Sequence, residues 1–433
     1  MNPGEELLRH AVISIKKENP TIGIGKVHAL LLSQHPDWSV SEKRTRKVLQ
    51  NEGLVQCAPQ THGEAKQKGA IIPKSKLIEG LDLSKYSAKI EVKFFDKQRG
   101  KGLIAKERIV EGETVWKEDP FILAPEWDLF DLQRNSAACA HCSTPLSRGS
   151  PLIVECSGGA LTPSCPAQFC NRLCLSRSSK THPLLCPARN PASIPLLNFA
   201  RKNEWMALHA LAQCTARVLL SFQQDETTFR GDLDICRSLA SLGLEERVKV
   251  GWLGGGAEPD HATWKRAFQL YVQAFDEPYS EAEKKKLAKI LRKRIPSELK
   301  GEFFEYNAFL WGLGRMSLNL EAHGGLYVLH SHLNHSCAPN VSVRHLDQKT
   351  TLSRITIIAK RDIEPGEELL ITYVNPALPF QERRRQLLEW GFGTCRCARC
   401  QDEEKDSQVD DTPASQTGLG DLEKELKAGL GVM

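Results

Sequence analysis

No stretch of this 433-residue sequence approaches the roughly 18 uninterrupted apolar residues that a membrane-spanning helix requires. The first twenty residues, MNPGEELLRHAVISIKKENP, carry charges where a secretory signal needs an apolar run. We therefore expect an intracellular protein with no membrane partner.

Charge of one sign is not in large excess either. The net charge is +5 and the isoelectric point is about 8.4, a balance too mild to indicate a nucleic-acid-binding protein by itself. No Ser-His-Asp or Cys-His set is conspicuous, so nothing in the sequence points to nucleophilic catalysis. Hydrophobic residues make up 41% of the chain, which allows a sizeable core in two or three domains.

Cysteine is abundant and clustered. Intracellular thiols stay reduced, so clustered cysteines among the 14 in the chain suggest metal before disulfides. Eight soft ligands fall within 48 residues: Cys139, Cys142, Cys156, Cys165, Cys170, Cys174, His182 and Cys186. This number suits two tetrahedral structural zinc ions. The segment has little apolar sequence of its own, so metal is expected to replace a core.

A second cysteine group lies at Cys395, Cys397 and Cys400. Three thiolates are one short of a closed tetrahedral zinc site. The nearest credible fourth ligand is Cys337, in the run LNHSCAPN. The alternative is a separate surface site, with Cys337 as a buried thiol.

Two β segments frame the first cysteine group. Ile90, Val92 and Phe94 alternate with polar residues before an RGKG turn, and a second β pattern covers 354–374. The sequence AKERIVEGE in the first is echoed by AKRDIEPGE in the second, 254 residues later. Each of these two segments is predicted to form a strand, a turn and a second strand. They predict one β domain whose halves are separated by a large insertion, first cysteine-rich and then helical over 196–300.

The two ends of the chain differ from this middle. Residues 5–54 predict three short helices with Ser41 as an N-cap and Gly53 as a stop, a helix-turn-helix-like arrangement. The basic third helix leaves two interpretations open, a protein-interaction bundle or a contact with DNA. A polar linker follows.

The tail from Gln401 is acidic and is expected to be disordered, apart from a helix around Leu422–Leu426.

Three short motifs lie in the β segments, and each is weak alone: RGKGL at 99–103, NHSCAPN at 334–340 and GEELLITY at 366–373. In this order, with a cysteine triplet just downstream, they resemble the SET-domain methyltransferases. With the cysteine-rich insertion they are similar to the SMYD branch, whose insertion is a MYND zinc finger. The N-terminal helices and the ending WGFGTCRCARC most resemble the fungal SET-domain protein five family. The resemblance covers about 86–400, and more loosely 5–54.

The resemblance implies an α+β fold, a SET-domain β fold of small sheets split by a MYND-like zinc module and a helical insertion. The implied parts are a helix-turn-helix-like segment (1–55), a linker (56–84), the N-terminal half of the SET domain (85–138), the MYND-like finger (139–186), the helical insertion (187–303), the C-terminal half of the SET domain (304–375), a post-SET zinc segment (376–400) and the acidic tail (401–433).

The same resemblance implies how the zinc ligands divide. One ion is implied to bind Cys139, Cys142, Cys170 and Cys174, and the other Cys165, His182 and Cys186. The family pattern has a further cysteine where Thr162 stands here. Cys156, across a longer loop, is the candidate replacement.

The resemblance also implies a cofactor, S-adenosylmethionine. Arg99, Lys101 and Gly102 are implied to contact its amino-acid end. Asn334 and His335 are implied to bind its methionine part and adenine.

Four further residues complete the implied site. Tyr373 is implied to be the catalytic tyrosine and to contact the cofactor. Asn307, in the YNAF stretch, resembles an asparagine that also reaches the cofactor. Trp390 and Phe392 are implied to line the lysine channel or the adenine pocket.

The implied function is methylation of a protein lysine, with a histone tail in a nucleosome as the favoured substrate and the fourth core histone foremost. A nuclear location on chromatin, and also a cytoplasmic one, is consistent with this function. The MYND-like finger implies a protein partner. Two alternatives remain open: methylation of a non-histone protein, and a non-catalytic adaptor built on an inactive SET fold. The intact set of Asn334, His335 and Tyr373 favours an enzyme.

Overall fold

The structure is a computed structural model that describes residues 3–19, 22, 24–51, 72–147, 149–158, 160–161, 163–247, 260–347, 351–389, 391 and 393–409. The chain divides into two compact units, 1–69 and 70–433. The predicted stop at Gly53, the aromatic residues Trp390 and Phe392, and the predicted helix at Leu422–Leu426 lie outside the described residues.

The N-terminal unit contains the three predicted helices, α1 (Glu5–Glu18), α2 (Ile24–Gln34) and α3 (Glu42–Asn51). Their apolar faces form a small core that includes Leu8, Ile15 and Leu31. The Arg44 main-chain N–H donates to Ser41 Oγ at 3.3 Å, which confirms Ser41 as the residue that caps α3.

The two echoed β segments pair with each other. The main-chain N–H of Ile109 donates to the Ile363 carbonyl at 3.0 Å, and the reverse bond is 2.9 Å. Gly112 donates to the carbonyl of Ala359 and Gly366 to that of Ala105, so each turn glycine binds the opposite segment. Both glycines have positive φ, +79° and +85°, a conformation that L side chains rarely adopt. The predicted single β domain, split by an insertion, is confirmed.

Small sheets surround this pairing, as expected. Their strands are β1 (Ile90–Phe94), β2 (Lys101–Ala105), β3 (Thr114–Glu118), β4 (Ile122–Leu123), β5 (Val154–Glu155), β6 (Gln168–Phe169), β7 (Gly325–Leu326), β8 (Asn334–His335), β9 (Val341–Arg344), β10 (Ile355–Ala359) and β11 (Leu370–Ile371). Antiparallel pairs join β1 to β2, β4 to β7 and β5 to β6, and a three-stranded sheet has the order β3-β10-β9. Strands from before and after the insertion therefore share a sheet.

The cysteine-rich module contains β5, β6 and two short helices, α5 (Arg172–Ser178) and α6 (His182–Leu185), and α4 (Trp127–Arg134) precedes it. Its buried core consists mainly of cysteines, with Ala167, Phe169 and Ala188. So small an apolar set supports the expectation that metal replaces a core here.

Helices form the second part of the insertion: α7 (Ser193–Lys202), α8 (Met206–Gln224), α9 (Glu226–Ser238), α10 (His261–Phe275), α11 (Glu281–Ile290), α12 (Ser297–Phe304) and α13 (Tyr306–Asn319). They share one core, to which Leu208, Tyr271 and Phe309 belong. In the described part of the chain, no helix combines the length and the apolarity that crossing a membrane would require.

Two predicted boundaries differ from the structure. Lys74, within the predicted linker, pairs in both directions with the main chain of Ser241, so the segment from 72 belongs to the second unit. At the other end, α14 (Phe380–Glu389) is followed by α15 (Ala398–Val409), which extends beyond the predicted start of the tail at 401. Ion pairs explain the extension, because Glu403 and Glu404 bind Arg383 and Arg384 of α14.

Candidate active site and metal-ligand clusters

The three sequence motifs converge where β8 and β11 lie side by side. These strands pair in parallel, Asn334 opposite Leu370 and His335 opposite Ile371. The Leu369 main-chain N–H donates to the Leu103 carbonyl at 2.8 Å, which attaches the strand after RGKG to the same crossing. Segments far apart in sequence thus meet at one point.

Asn340, the last residue of NHSCAPN, secures this crossing. Its side-chain amide donates to the Glu368 carbonyl at 2.8 Å, and its carbonyl oxygen accepts from the Leu370 N–H at 2.7 Å. The residue is 1% exposed. A buried amide with both ends satisfied fixes the register of the two strands.

A charged pair lies beside Gly102. Asn334 Nδ2 donates to Glu368 Oε1 at 2.8 Å and to the Lys101 carbonyl at 3.1 Å, and Arg99 forms an ion pair with the same carboxylate. A Cβ at Gly102 would lie 2.9 Å from Glu368 Oε1 and 3.0 Å from Asn334 Nδ2, and would collide with the Phe95 ring. Any larger residue at this position would have to displace these side chains.

Lys101 points into the protein interior. Its side chain is 3% exposed, and Nζ lies 3.2 Å from the Ser331 hydroxyl. Burial lowers the pKa of Lys101 from 10.5 to about 7. Near neutral pH, a large fraction of this amine is therefore uncharged.

Tyr373 is held through the loop that contains the NH motif. Its hydroxyl donates to the Leu333 carbonyl at 2.7 Å, and its main-chain N–H donates to His335 Nδ1 at 3.0 Å. Burial raises the pKa of Tyr373, so the phenol stays protonated at neutral pH.

His335 accepts at Nδ1, so its ring proton lies on Nε2, 3.4 Å from Cys337 Sγ. Burial lowers the pKa of His335 to about 4, which keeps the ring neutral.

Asn307 is not part of this cluster of contacts. It is exposed in the first turn of α13, and among the described residues no hydrogen bond joins it to Asn334 or Glu368. Its predicted contact with the cofactor stays a prediction. The predictions for Trp390 and Phe392 fall on residues outside the described part of the chain.

The predicted metal ligands of the insertion form two groups. Within each group every ligand atom lies within 4.8 Å of the others. The first group contains Cys139, Cys142, Cys170 and Cys174, and the second contains Cys156, Cys165, His182 and Cys186. Cys156 therefore lies with the second set, where Thr162 has no ligand to offer.

Thiolate chemistry in these groups fits a metal such as zinc. Hydrogen bonding from Cys142 lowers the pKa of Cys139, and hydrogen bonding from Cys165 lowers the pKa of Cys186 to about 3. Hydrogen bonding to these two sulfurs raises the pKa of the partner thiols Cys174 and Cys165, so each group contains both thiolate and thiol in the absence of a metal. Thiolates are the form that binds metal. Four S or N donors in a compact, largely buried group match a structural zinc site.

The third group lies next to the NH motif. Cys337, Cys395, Cys397 and Cys400 also lie with all sulfurs within 4.8 Å, and the Cys337 and Cys400 sulfurs are 3.4 Å apart. The fourth ligand predicted for the triplet is thus the one that the fold brings to it. A metal here would link the NH motif to the segment that begins α15.

Buried Arg383 stabilises this third group. Its side chain is 1% exposed, donates to the Leu378 carbonyl at 2.6 Å and pairs with Glu403. Its guanidinium also interacts with the Cys337 and Cys400 thiols. Four thiolates bound to a zinc ion would carry a net negative charge, which this buried cation would offset.

Sequence reasoning missed Arg383 and Glu368, although each left a signal. Arg383 is four residues before the fully buried Leu387 on α14, so helical spacing puts it on the buried face. Glu368 is a carboxylate two residues before strand β11. A solvated side chain there would not approach Arg99 of the first motif.

Comparison with known proteins gives a family and several relatives. The family model described as SET domain matches residues 100–374. The chain is 30% identical to a protein of Scheffersomyces stipitis named histone-lysine N-methyltransferase SET5, over 93% of this chain and 82% of that one. It is 32% identical to the protein of the same name in Yarrowia lipolytica, over 93% and 83%. The solved SET domain of LSMT bound to lysine and AdoHcy covers 66% of this chain and 49% of that chain at 9% identity, but its TM-score of 0.30 supports no conclusion.

Proposed function

The chain belongs to the SET-domain family, and from that membership we propose that it is an S-adenosylmethionine-dependent protein-lysine N-methyltransferase that acts on a histone. The relatives that carry this activity in their names are matched over more than nine-tenths of this chain. The observation that carries the proposal is the convergence of the three motifs at the parallel pair of β8 and β11, with Tyr373 at its end.

The residues beside Gly102 fit the amino-acid end of S-adenosylmethionine. The absent side chain lets Asn334 and Glu368 approach the main chain at this position. That end of the cofactor carries a carboxylate and an ammonium, and the Arg99–Glu368 pair offers one partner for each. We assign Arg99, Lys101, Gly102, Asn307, Asn334, His335, Tyr373 and Phe392 to cofactor binding.

S-adenosylmethionine, when bound, supplies a methyl group on a positively charged sulfur. A lysine can accept that methyl group only as a neutral amine, whereas its reference pKa is about 10.4. A narrow apolar channel disfavours the ammonium form and excludes water. Tyr373 remains a neutral phenol there, with its hydroxyl anchored at the Leu333 carbonyl, so that it can orient the amine in line with the methyl group.

The three metal-ligand groups fit structural zinc. We assign the two groups in 139–186 to a MYND-like finger that serves a protein partner, and the group at Cys337 to a post-SET site. The third zinc would hold the C-terminal segment, including Trp390 and Phe392, over the lysine channel.

The finer proposals concern the substrate and its setting. We favour the fourth core histone, within a nucleosome in the nucleus, and a DNA or partner contact through the N-terminal helices. Methylation of a non-histone protein is the second candidate, since the lysine site alone does not name its substrate. A non-catalytic adaptor is the third, although Asn334, His335 and Tyr373 are all present.

Radioactive methyl transfer to nucleosomes, free core histones and a cell extract tests the proposal. We expect label in histones, most of it in the fourth core histone. Label in extract proteins but in none of the histones would point to the second candidate. Complete absence of transfer, with intact cofactor binding, would point to the adaptor.

A further inference from the structure

A basic ridge, residues 284–294, comprises the last seven residues of α11 and the four residues after it. Its sequence, KKKLAKILRKR, contains seven cations and no acidic residue. Because the whole chain carries +5, all other residues together carry a net charge of −2. The net positive charge of this protein thus comes from these eleven residues, because the cations elsewhere are outnumbered by acidic residues.

The ridge faces outward because its apolar side is occupied. Leu287 is 5% exposed in the helical core, and Ile290 and Leu291 pack against the same core. Three of the cations are engaged locally: Lys284 pairs with Glu281, Lys286 donates to the Ala188 carbonyl, and Lys293 donates to the carbonyls that end α8. These contacts keep the ridge on the surface of the insertion.

The other cations are available to a partner. Lys285, Lys289 and Arg294 are exposed, and in the described residues no acidic side chain pairs with any of them. Arg292 is also exposed and meets only the Lys289 carbonyl. Uncompensated like charges repel one another, so an anionic partner would lower the energy of the surface.

The ridge suits the backbone of a duplex better than a single strand. A helix rises about 1.5 Å per residue, so the seven helical residues of the ridge span on the order of 10 Å. Duplex DNA carries one phosphate charge per about 1.7 Å of its axis, so several phosphates lie within that length. Single-strand binders add aromatic side chains on which bases stack. The ridge contains none, and exposed Tyr279 lies at the other end of α11, beside Glu281 and Glu283.

We propose that the basic ridge binds the phosphate backbone of duplex DNA, independently of base sequence. The inference deepens the proposed function, on which it rests in part, because a histone substrate within a nucleosome is wrapped in such a duplex. In this arrangement the insertion holds the enzyme on nucleosomal DNA while the SET domain receives the lysine.

The test compares the full-length protein with a triple variant, Lys285→Gln, Lys289→Gln and Arg294→Gln. Affinity for a 30-base-pair duplex (about three helical turns) is measured by fluorescence anisotropy over a series of salt concentrations. Removing one cation that binds a phosphate reduces the slope of log affinity against log salt by about 1. We expect binding at least about tenfold weaker at moderate salt, and a slope reduced by about 3.

A matched variant removes the same charge elsewhere: Lys85→Gln, Lys106→Gln and Lys117→Gln, all exposed in the SET portion. We expect it to keep wild-type affinity, and thermal melting verifies that both triples fold. Equal affinity in all three proteins, equal loss in both triples, or a loss confined to RNA or to an acidic protein would overturn the proposal. Methyl transfer to a short histone peptide should be unchanged in both triples, and wild-type transfer in that assay tests the proposed function separately.

Discussion

Individual side chains at the candidate site are fixed by main-chain partners. Tyr373 is tied to the Leu333 carbonyl and to His335, and Asn334 is tied to the Lys101 carbonyl. Because these partners are backbone atoms or residues of the adjacent strand, the site keeps its geometry only while the crossing of β8 and β11 persists.

Tyr373→Phe should leave folding and cofactor binding largely intact and remove most methyl transfer. The substitution deletes one hydroxyl and its 2.7 Å hydrogen bond, while the ring keeps its packing. Loss of one positioning group at a reacting centre can cost on the order of 100-fold. Turnover on a histone peptide, with cofactor affinity measured by calorimetry, checks this expectation. Wild-type turnover in the variant would mean that Tyr373 is not the catalytic tyrosine.

Lys101→Met should remove a pH dependence of stability. In the folded protein the pKa of Lys101 is about 7, well below its unfolded value, so the unfolded state binds more protons between about pH 7 and 10.5. Stability conferred by this residue therefore rises with pH across that window and is lowest at and below pH 7. From pH 7.5 to 9.5 the wild type should gain about 2 kcal/mol relative to the variant in urea denaturation. Parallel curves for the two proteins would contradict a buried, titrating amine.

At the scale of elements, the third cysteine group joins the loop after β8 to α15, which hydrogen bonds from Arg399 also hold together. Cys337 belongs to the loop after β8, whereas the other three sulfurs lie before and within α15. Arg399 adds hydrogen bonds to the Cys337 and Pro376 carbonyls. A metal ion bound by these four sulfurs would add its coordinate bonds to the contacts that already join the loop and α15.

Cys337→Ser and Cys397→Ser should each lose one of the three bound zinc ions and nearly all methyl transfer. The two metal-ligand groups in 139–186 should each keep their zinc ion in both variants. A structural zinc contributes on the order of 10 kcal/mol of apparent binding energy, more than a short segment gains by packing. Metal analysis of the purified proteins gives the count. Cys214→Ser, at a buried cysteine outside the three groups, is the matched control and should retain three zinc ions. A Cys337→Ser protein with three zinc ions and full turnover would show that the connection does not exist.

For the whole molecule, the chain divides into two compact units, 1–69 and 70–433. The candidate site lies in the unit from residue 70 onward, and the three-helix bundle contributes none of the residues assigned to it. Ser75 of the second unit lies 3.3 Å from the Lys101 main-chain N–H. A truncation that begins at 70 keeps this contact, whereas a start after Ser75 would remove a residue that supports the cofactor motif.

A protein consisting of residues 70–433 should methylate a short histone peptide as fast as the full chain. Transfer to nucleosomes should fall severalfold, because the proposed DNA or partner contact of the N-terminal helices is removed. Initial rates on both substrates, at matched protein concentration, separate the two effects. Equal loss on peptide and nucleosome would assign the bundle to the catalytic fold.

Sequence motifs and the spacing of apolar residues determined much of the local structure of this protein. Helical spacing of apolar residues predicts α1 to α3, Ser41 predicts the start of α3, and the echoed AKERIVEGE and AKRDIEPGE segments predict a split β domain. The resemblance to the MYND finger predicts the members of the first metal-ligand group, Cys139, Cys142, Cys170 and Cys174, and the fold brings these four sulfurs together.

Contacts between distant segments of the chain were decided by the tertiary structure alone. The place of Cys156, the pairing of Arg99 with Glu368, the burial of Arg383 and the attachment of 74–77 to 238–241 all join residues that no local period relates. The acidic stretch after Gln401 has a composition typical of disorder, yet it is helical to Val409 because arginines of α14 face it. Local sequence fixes which conformation a segment prefers, but the gain from pairing charges and burying side chains is realised only once the chain has brought the partners together.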